Sequence, residues 1–463
     1  MIADDVAGSA APAGTAVDWE QVARDLAPIP SERGTARVRR MSRDYHWYSP
    51  VLRERLKDVI ADLVVSPRTE AELAMVVRYC ARRRLAITPR GGGTGNYGQS
   101  MPVEGGVLVD CTGLDQILWL RDGVVRAGAG ALLRSIEAET VKSGWELRFH
   151  PSTWKMATIG GFVGGGTTGC GAINYGTLHD AGNLLGLRLM TMEEEPRFIE
   201  LRGADLEKAI HAYGATGIIT EVEIALAPHQ DWREFVVSFP TLRQALEASW
   251  AVAHADGVAK KELAVIDWGA AQYFDDLLDR LRPDQPIIMA SVAASSREAF
   301  LRLTAQAGGE VVFDRSATPE SDIPPLYEFC WNHTTLQALK HDRDLTYLQV
   351  QFPAENPVEM VLRMDAQFGS EVVTHVEVLK AQGRIRYSAL QLVRYTGEQR
   401  LTEIIAHYRA SGCPVRDPHT FTLERGPQYS VNPRQAAFKI ETDPFGLLNP
   451  GKMPGWSPPN SAA

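Results

Sequence analysis

Cysteine is scarce, with five residues in 463 (Cys80, Cys111, Cys170, Cys330 and Cys413) and no CxxC pair among them. That spacing excludes a zinc ribbon or a disulfide scaffold and suits buried thiols in a reducing cytoplasm. Long apolar runs are also missing: none reaches the roughly 18 residues of a membrane-spanning helix. Excess positive charge is absent, the formal net charge being −9, which argues against a nucleic-acid partner. The densest basic run, Arg82-Arg83-Arg84, reads as the end of an amphipathic helix. The first 17 residues lack a basic start and an apolar core, so they read as a disordered leader and not a signal peptide. No repeat and no metal-ligand spacing stands out. These absences leave a cytoplasmic protein acting on a small molecule, without metal.

Glycine, by contrast, is concentrated. An apolar segment, Leu85-Ala86-Ile87-Thr88, runs into Pro89-Arg90-Gly91-Gly92-Gly93-Thr94-Gly95-Asn96-Tyr97-Gly98-Gln99. Stripped of side chains, such a loop turns its backbone N–H groups into one concavity and cradles a pyrophosphate. A second loop follows from Ala157 to Gly171, and the pair implies one large phosphate-bearing cofactor between them. Around them the chain alternates strand and helix. Asp62 to Ser66 reads as a strand, and Thr69 with Glu72 as a capping box for a helix carrying Leu73, Val76, Val77 and Cys80 on one face. Strands are expected at 106–110, 124–130, 184–190, 197–201 and 217–226, and helices at 51–60 and 132–142. Beyond 230 the glycine thins. There, strands are expected at 235–239, 263–267, 287–290 and 310–313, and helices at 296–307, 357–368 and 398–411.

Four ordered motifs carry a resemblance: the two glycine loops, Gly217-Ile218-Ile219-Thr220-Glu221-Val222, and the ending Asp443-Pro444-Phe445-Gly446-Leu447-Leu448-Asn449-Pro450-Gly451-Lys452. Together they resemble the FAD-linked oxidase family, the vanillyl-alcohol oxidase / p-cresol methylhydroxylase type. A Rossmann layout does not fit, because neither loop is a strand–GxGxxG–helix unit followed by an acidic residue. The resemblance implies an α+β fold: a two-subdomain FAD-binding domain plus an α+β substrate, or cap, domain. The expected division is a leader and aromatic arm at 1–54, the FAD-binding domain at 55–228, the cap at 229–430 and a returning C-terminal segment at 431–463.

The resemblance assigns Arg90, Gly91, Gly92, Gly93, Thr94, Gly95, Asn96, Gly98 and Gln99 to the pyrophosphate. Pro151, Ser152, Thr153, Thr158, Gly160, Gly161, Gly165, Gly166, Thr167 and Gly171 would follow the ribityl chain and ring edge. Gly217 and Ile219 would meet the adenine or ribose, and Asn449 and Lys452 would close over the flavin. Tyr175, like Tyr97, reads equally as a flavin contact or a packing aromatic, and Lys452 equally as an exposed helix-end cation. Covalent members carry His where this chain has Thr94, and doubly linked members carry Cys where it has His150, so non-covalent FAD is expected. The C-terminal His-x-Gly-Asp-Gly-Asn-x-His motif of D-2-hydroxyacid dehydrogenases is absent.

Acid–base groups for the substrate are sought in the second region. His333 and His419 sit among aromatic and polar residues. His375 and Glu377 share one face of a strand, as a catalytic pair or a mutually satisfied buried one. Arg386 is a candidate carboxylate clamp, with Tyr387 beside it. The expected activity is hydride removal from an alcohol-type carbon of a hydroxy acid, sugar-like or aromatic alcohol. Oxygen or another acceptor would take the electrons, and the protein is a possible homodimer. Oxidative cyclisation or rearrangement in secondary metabolism, or a flavin-binding subunit of a larger oxidase, remain alternatives.

Overall fold

The computed structural model describes residues 17–317, 322–423 and 432–457. The leader and the fraying expected at 458–463 lie outside the described residues, apart from Val17 at the leader's edge.

Three sheets organise the chain. In the first, Leu63–Val65, Val107–Asp110 and Ile87–Arg90 run parallel, with the short Ser31–Glu32 antiparallel at one edge. The capping-box helix crosses between strands as Glu70–Arg83. The Thr69 hydroxyl accepts from Glu72 N at 3.1 Å, and Glu72 reaches back to Arg68 N at 2.7 Å. Leu73, Val76, Val77 and Cys80 are the face it buries, as its apolar spacing requires. The chain end returns to this sheet: Ile87 N donates to Leu447 O and Asn449 N to Ile87 O. The second sheet is antiparallel, ordered Ile117–Arg121, Val124–Gly128, Ile218–Pro228, Leu184–Met190 and Phe198–Leu201, with Trp145–Leu147 on the end of the long strand.

The third sheet has nine antiparallel strands and begins at Trp232–Ser238, directly after the second sheet ends. Alternation along its strands separates two faces. Tyr387, Ala389 and Val393 of Arg384–Arg394 join Val376 and Val378 under an outer layer of helices, Leu242–His254, Arg297–Gln306, Pro357–Phe368 and Glu398–Ala410. Leu390, Leu392 and Leu379 face inward, toward Tyr48, Tyr97 and Tyr213. The aromatic arm bridges the two halves. Tyr45 N donates to Gly95 O of the first glycine loop, and Tyr48 O accepts from Thr346 of the large sheet.

Two local expectations change. The helix expected at 51–60 stops at Arg55, since Lys57 to Ile60 turn away. The second glycine loop contains a helix, Ile159–Gly165, despite four poor helix formers. Thr158 caps it by accepting from Gly161 N. A Cβ at Gly160 would stand 2.5 Å from Ala129 Cβ, so close packing of helix on strand sets that glycine.

Candidate functional site

The two glycine loops interlock. A Cβ at Gly91 would fall 2.1 Å from Thr158 Oγ1, and one at Gly92 would fall 2.1 Å from Met156 O. Thr153 Oγ1 lies 3.2 Å from Thr94 Oγ1, and Gln99 Nε2 donates to Gly165 O at 2.7 Å. Along the first loop, the N–H groups of Gly92, Gly93, Thr94, Gly95 and Asn96 donate to no acceptor among the described residues. Five consecutive free donors are what a backbone anion cradle requires. Arg90 adds a buried guanidinium whose Nε has no partner; burial pulls its pKa down, partly offset by Asp44 and Asp110.

Between the loops and the inner face of the large sheet lies a cavity of about 410 Å³. Of the residues assigned to the cofactor, Arg90, Gly91, Gly92, Gly93, Thr94, Gly95, Asn96, Gln99, Pro151, Ser152, Thr153, Thr158, Gly160, Gly161, Gly165, Gly166, Thr167 and Ile219 line it. Six of them stand elsewhere. Gly98 holds a left-handed turn (φ 71°), and its carbonyl accepts from Lys452 Nζ at 2.6 Å. Lys452 is therefore no exposed cation: it is fully buried behind the loop, and burial depresses its pKa to about 7. Asn449 ties three segments, donating to Gln99 O at 2.8 Å and Tyr213 O at 2.6 Å. Gly171, at φ 103°, turns its N–H onto Lys261 O, and Gly217 precedes the long strand at φ 148°. Tyr175 packs with the second sheet's core beneath Arg148.

The second region divides more sharply. His333 lines the cavity at the start of the helix Asn332–His341. Its Nδ1 stands 2.9 Å from Glu328 Oε2 but out of hydrogen-bond alignment. Lys155 reaches the other Glu328 oxygen at 2.9 Å. Burial pushes the Glu328 carboxyl up, but His333 and Lys155 together hold it below its ordinary value.

The remaining candidates do not reach the cavity. His419 has both ring nitrogens engaged, Nε2 donating to Tyr347 O at 3.1 Å and Nδ1 meeting Ser49 Oγ at 2.8 Å. It is a buried structural histidine fastening the aromatic arm. Tyr387 projects from the outer face of its strand, donates to Leu246 O and meets Ser249 Oγ at 2.6 Å, because a period of two places it opposite Ser388. Arg386 shares the inner face with Ser388 and Leu390, but only those two line the cavity. His375 and Glu377 meet as a buried pair, 2.8 Å apart and fully shielded, with only the Oε1 oxygen of Glu377 engaged. Burial lowers His375 to about 4 and raises Glu377 to about 7.

The cavity also holds residues that sequence reading passed over. Gln349 and Gln351 alternate with buried Val350 along Leu345–Gln351, a polar-inside pattern that was a readable signal. Arg416 lines the cavity from the two-residue strand Val415–Arg416 and has no ionic partner among the described residues. His211 and Tyr213, both left-handed at φ 52° and 54°, complete the wall.

Comparison with known proteins agrees with this geometry. Residues 61–196 match the family model described as an FAD binding domain. D-2-hydroxyglutarate dehydrogenase of Bos taurus is 31% identical over 175 residues, 36% of this chain and 32% of that protein. Glycolate oxidase subunit GlcD of Bacillus subtilis is 27% identical over 193 residues, 38% and 39% of the two chains. D-lactate dehydrogenase of Archaeoglobus fulgidus is 25% identical over 195 residues, 40% and 43%. The chain thus spans about a third to two fifths of the length of these curated relatives. The solved structure of an alkyldihydroxyacetonephosphate synthase superposes with a TM-score of 0.71 at 15% identity, over 94% of this chain and 84% of that one. Residues 61–196 thus carry an FAD-binding domain of the kind found in the FAD-linked oxidase family.

Proposed function

We propose that this protein is an FAD-dependent oxidoreductase that oxidises the alcohol carbon of a small 2-hydroxy acid, with FAD held without a covalent bond. The observation that carries it is the run of five free backbone donors at Gly92 to Asn96, facing a cavity whose opposite wall supplies His333 and Arg416. In this reading residues 55–228 hold the cofactor, residues 431–463 return to that domain, residues 229–430 form the substrate side, and the arm within residues 1–54 joins them. The first loop and Arg90 would take the pyrophosphate, and the second loop with Ile219 the rest of the molecule. Thr94, lacking a nucleophile suited to the flavin methyl group, leaves attachment non-covalent.

When bound, flavin supplies a two-electron acceptor for hydride. The chain's own residues supply the rest. Arg416, without an ionic partner among the described residues, would hold a carboxylate in bidentate geometry. It takes the role expected of Arg386. His333, with Nδ1 beside the Glu328 carboxylate, would present Nε2 to the substrate hydroxyl and accept its proton. The relatives named for D-2-hydroxyglutarate, D-lactate and glycolate support a hydroxy-acid substrate, although the His-x-Gly-Asp-Gly-Asn-x-His motif is absent. The electron acceptor is oxygen or another oxidant. Five buried free cysteines support a cytoplasmic setting, and no helix of the described residues is long and apolar enough to cross a membrane.

Anaerobic mixing of the FAD-loaded protein with D-2-hydroxyglutarate, D-lactate or glycolate should bleach the 450 nm band. Arg416→Leu should weaken substrate binding about 100-fold, from the loss of about 3 kcal/mol in a charge-assisted pair. His333→Ala should slow flavin reduction at saturation by about 10²- to 10⁴-fold with FAD retained. A flavin left oxidised by all three acids overturns the substrate assignment. Normal reduction in His333→Ala removes that residue from the mechanism.

A further inference from the structure

Behind the cavity wall lies a group of carboxyls that the proposed chemistry does not use. Trp331, which lines the cavity, has φ 54° and ψ −140°, a left-handed conformation costly for a residue with a side chain. Two glutamates hold it there. Glu377 Oε1 accepts from Trp331 N at 2.5 Å, and Glu262 Oε2 accepts from the Trp331 indole N–H at 2.9 Å. The Lys260–Ile266 and His375–Ala381 strands pair with Glu377 opposite Ala264, and from its diagonal position on the same inner face the Glu262 carboxyl comes within hydrogen-bonding reach of Glu377. Glu262 is 3% exposed and Glu377 fully buried.

No cation among the described residues neutralises them. Lys261, next in the chain, turns its ammonium toward Glu146 and Glu137. His375 is neutral, its ring lying between Glu377 and Leu390 O. The other titratable groups nearby are the buried thiols of Cys170 and Cys330, and Glu234. Glu377 Oε2, wholly buried, meets no N–H or hydroxyl donor among the described residues. Two ionised carboxylates in contact without water or countercharge are too costly to persist, whereas one proton between them satisfies both.

We propose that Glu262 and Glu377 share a single proton and serve as positioning residues, clamping the strained Trp331 so that Asn332 and His333 stand in the cavity wall. The claim rests on the reading of that cavity as the site. His333 follows Trp331 by two residues at the first turn of its helix. Any relaxation of Trp331 toward an ordinary backbone angle therefore swings the imidazole away.

Infrared difference spectroscopy of the FAD-loaded protein near neutral pH tests the shared proton. One protonated-carboxyl band is expected in the wild type, and Glu377→Gln and Glu262→Gln should each abolish it, since both remove the same proton. Absence of the band, or its survival in either variant, overturns the proposal. Hydrogen exchange over residues 329–336 tests the clamp. Glu377→Leu should accelerate it at least tenfold, and Glu377→Gln, which keeps a carbonyl acceptor for Trp331 N, should restore it to within about twofold. Unchanged exchange in Glu377→Leu also overturns the proposal, and if that variant does not fold, the wild-type and Gln spectra decide it. Where wild-type flavin bleaches, Glu377→Leu should lower its reduction rate while leaving FAD affinity unchanged. If no hydroxy acid bleaches the wild type, the functional reading fails, while the infrared and exchange results still decide this inference.

Discussion

Gly92→Ala should abolish the yellow colour of the purified protein. A single methyl group there lands 2.1 Å from Met156 O, 3.1 Å from the carbonyl carbon and 3.4 Å from Ala157 Cα. All three atoms are backbone, so no rotamer change relieves the clash. The loops must separate by about 1 Å to restore ordinary contact, against the close packing of protein interiors. Separation pulls Thr153 from Thr94 and breaks up the row of free donors from Gly92 to Asn96. Overpacking of this kind costs about 3 kcal/mol, so FAD affinity should fall about 100-fold. Gly257→Ala is the control. A Cβ there meets nothing within 4 Å, and binding should be unchanged. Titration of apoprotein with FAD, followed by flavin fluorescence, compares the three proteins.

Acid should destabilise the protein well above the range where carboxylates titrate. Four histidines are buried and held neutral: His150 and His211 at about 3, His375 at about 4, and His419 also lowered, in every case chiefly by burial. Each binds a proton more readily when unfolded. Stability is therefore complete above about pH 6.5 and is lost as the pH falls from there toward 4. At pH 5 the penalty is about 2 kcal/mol for each of the three with the lowest values. Glu377, raised to about 7 by burial, opposes this by gaining stability as the pH falls from 7 toward 4.5, and Glu262 acts in the same direction. Glu377 returns about 2.5 kcal/mol over that interval and Glu262 adds to it, so the four histidines leave a small net loss between pH 7.5 and pH 5. Urea midpoints at the two values measure it. A midpoint that rises on acidification contradicts the neutral, buried assignment.

The legible part of the site was the part made of backbone. Gly91, Gly92 and Gly160 are glycine because a neighbouring chain occupies the place of a side chain, and that need is written directly in composition. The strand-and-helix order of residues 62–128 was legible for a similar reason, since helix caps and apolar periodicity are local. The opposite wall is assembled by sheet pairing over long distances. Arg416 reaches the cavity only because Val415–Arg416 pairs with Leu345–Gln351, some 65 residues earlier, and a two-residue strand carries no periodicity. His419 and Tyr387 drew attention as polar or aromatic neighbours, but sheet facing and the aromatic arm decided their placement. His211 and Tyr213 gave no sign, because left-handed angles at residues other than glycine are set by the surrounding packing.

A dissociable flavin between the interlocked loops is the central requirement of the proposed function. Acid precipitation of protein saturated with FAD and freed of excess tests it in one step, by measuring flavin absorbance in supernatant and pellet. One FAD per chain in the supernatant, with a colourless pellet, is the predicted result. A protein that retains no flavin before precipitation, or a pellet that stays yellow, contradicts it.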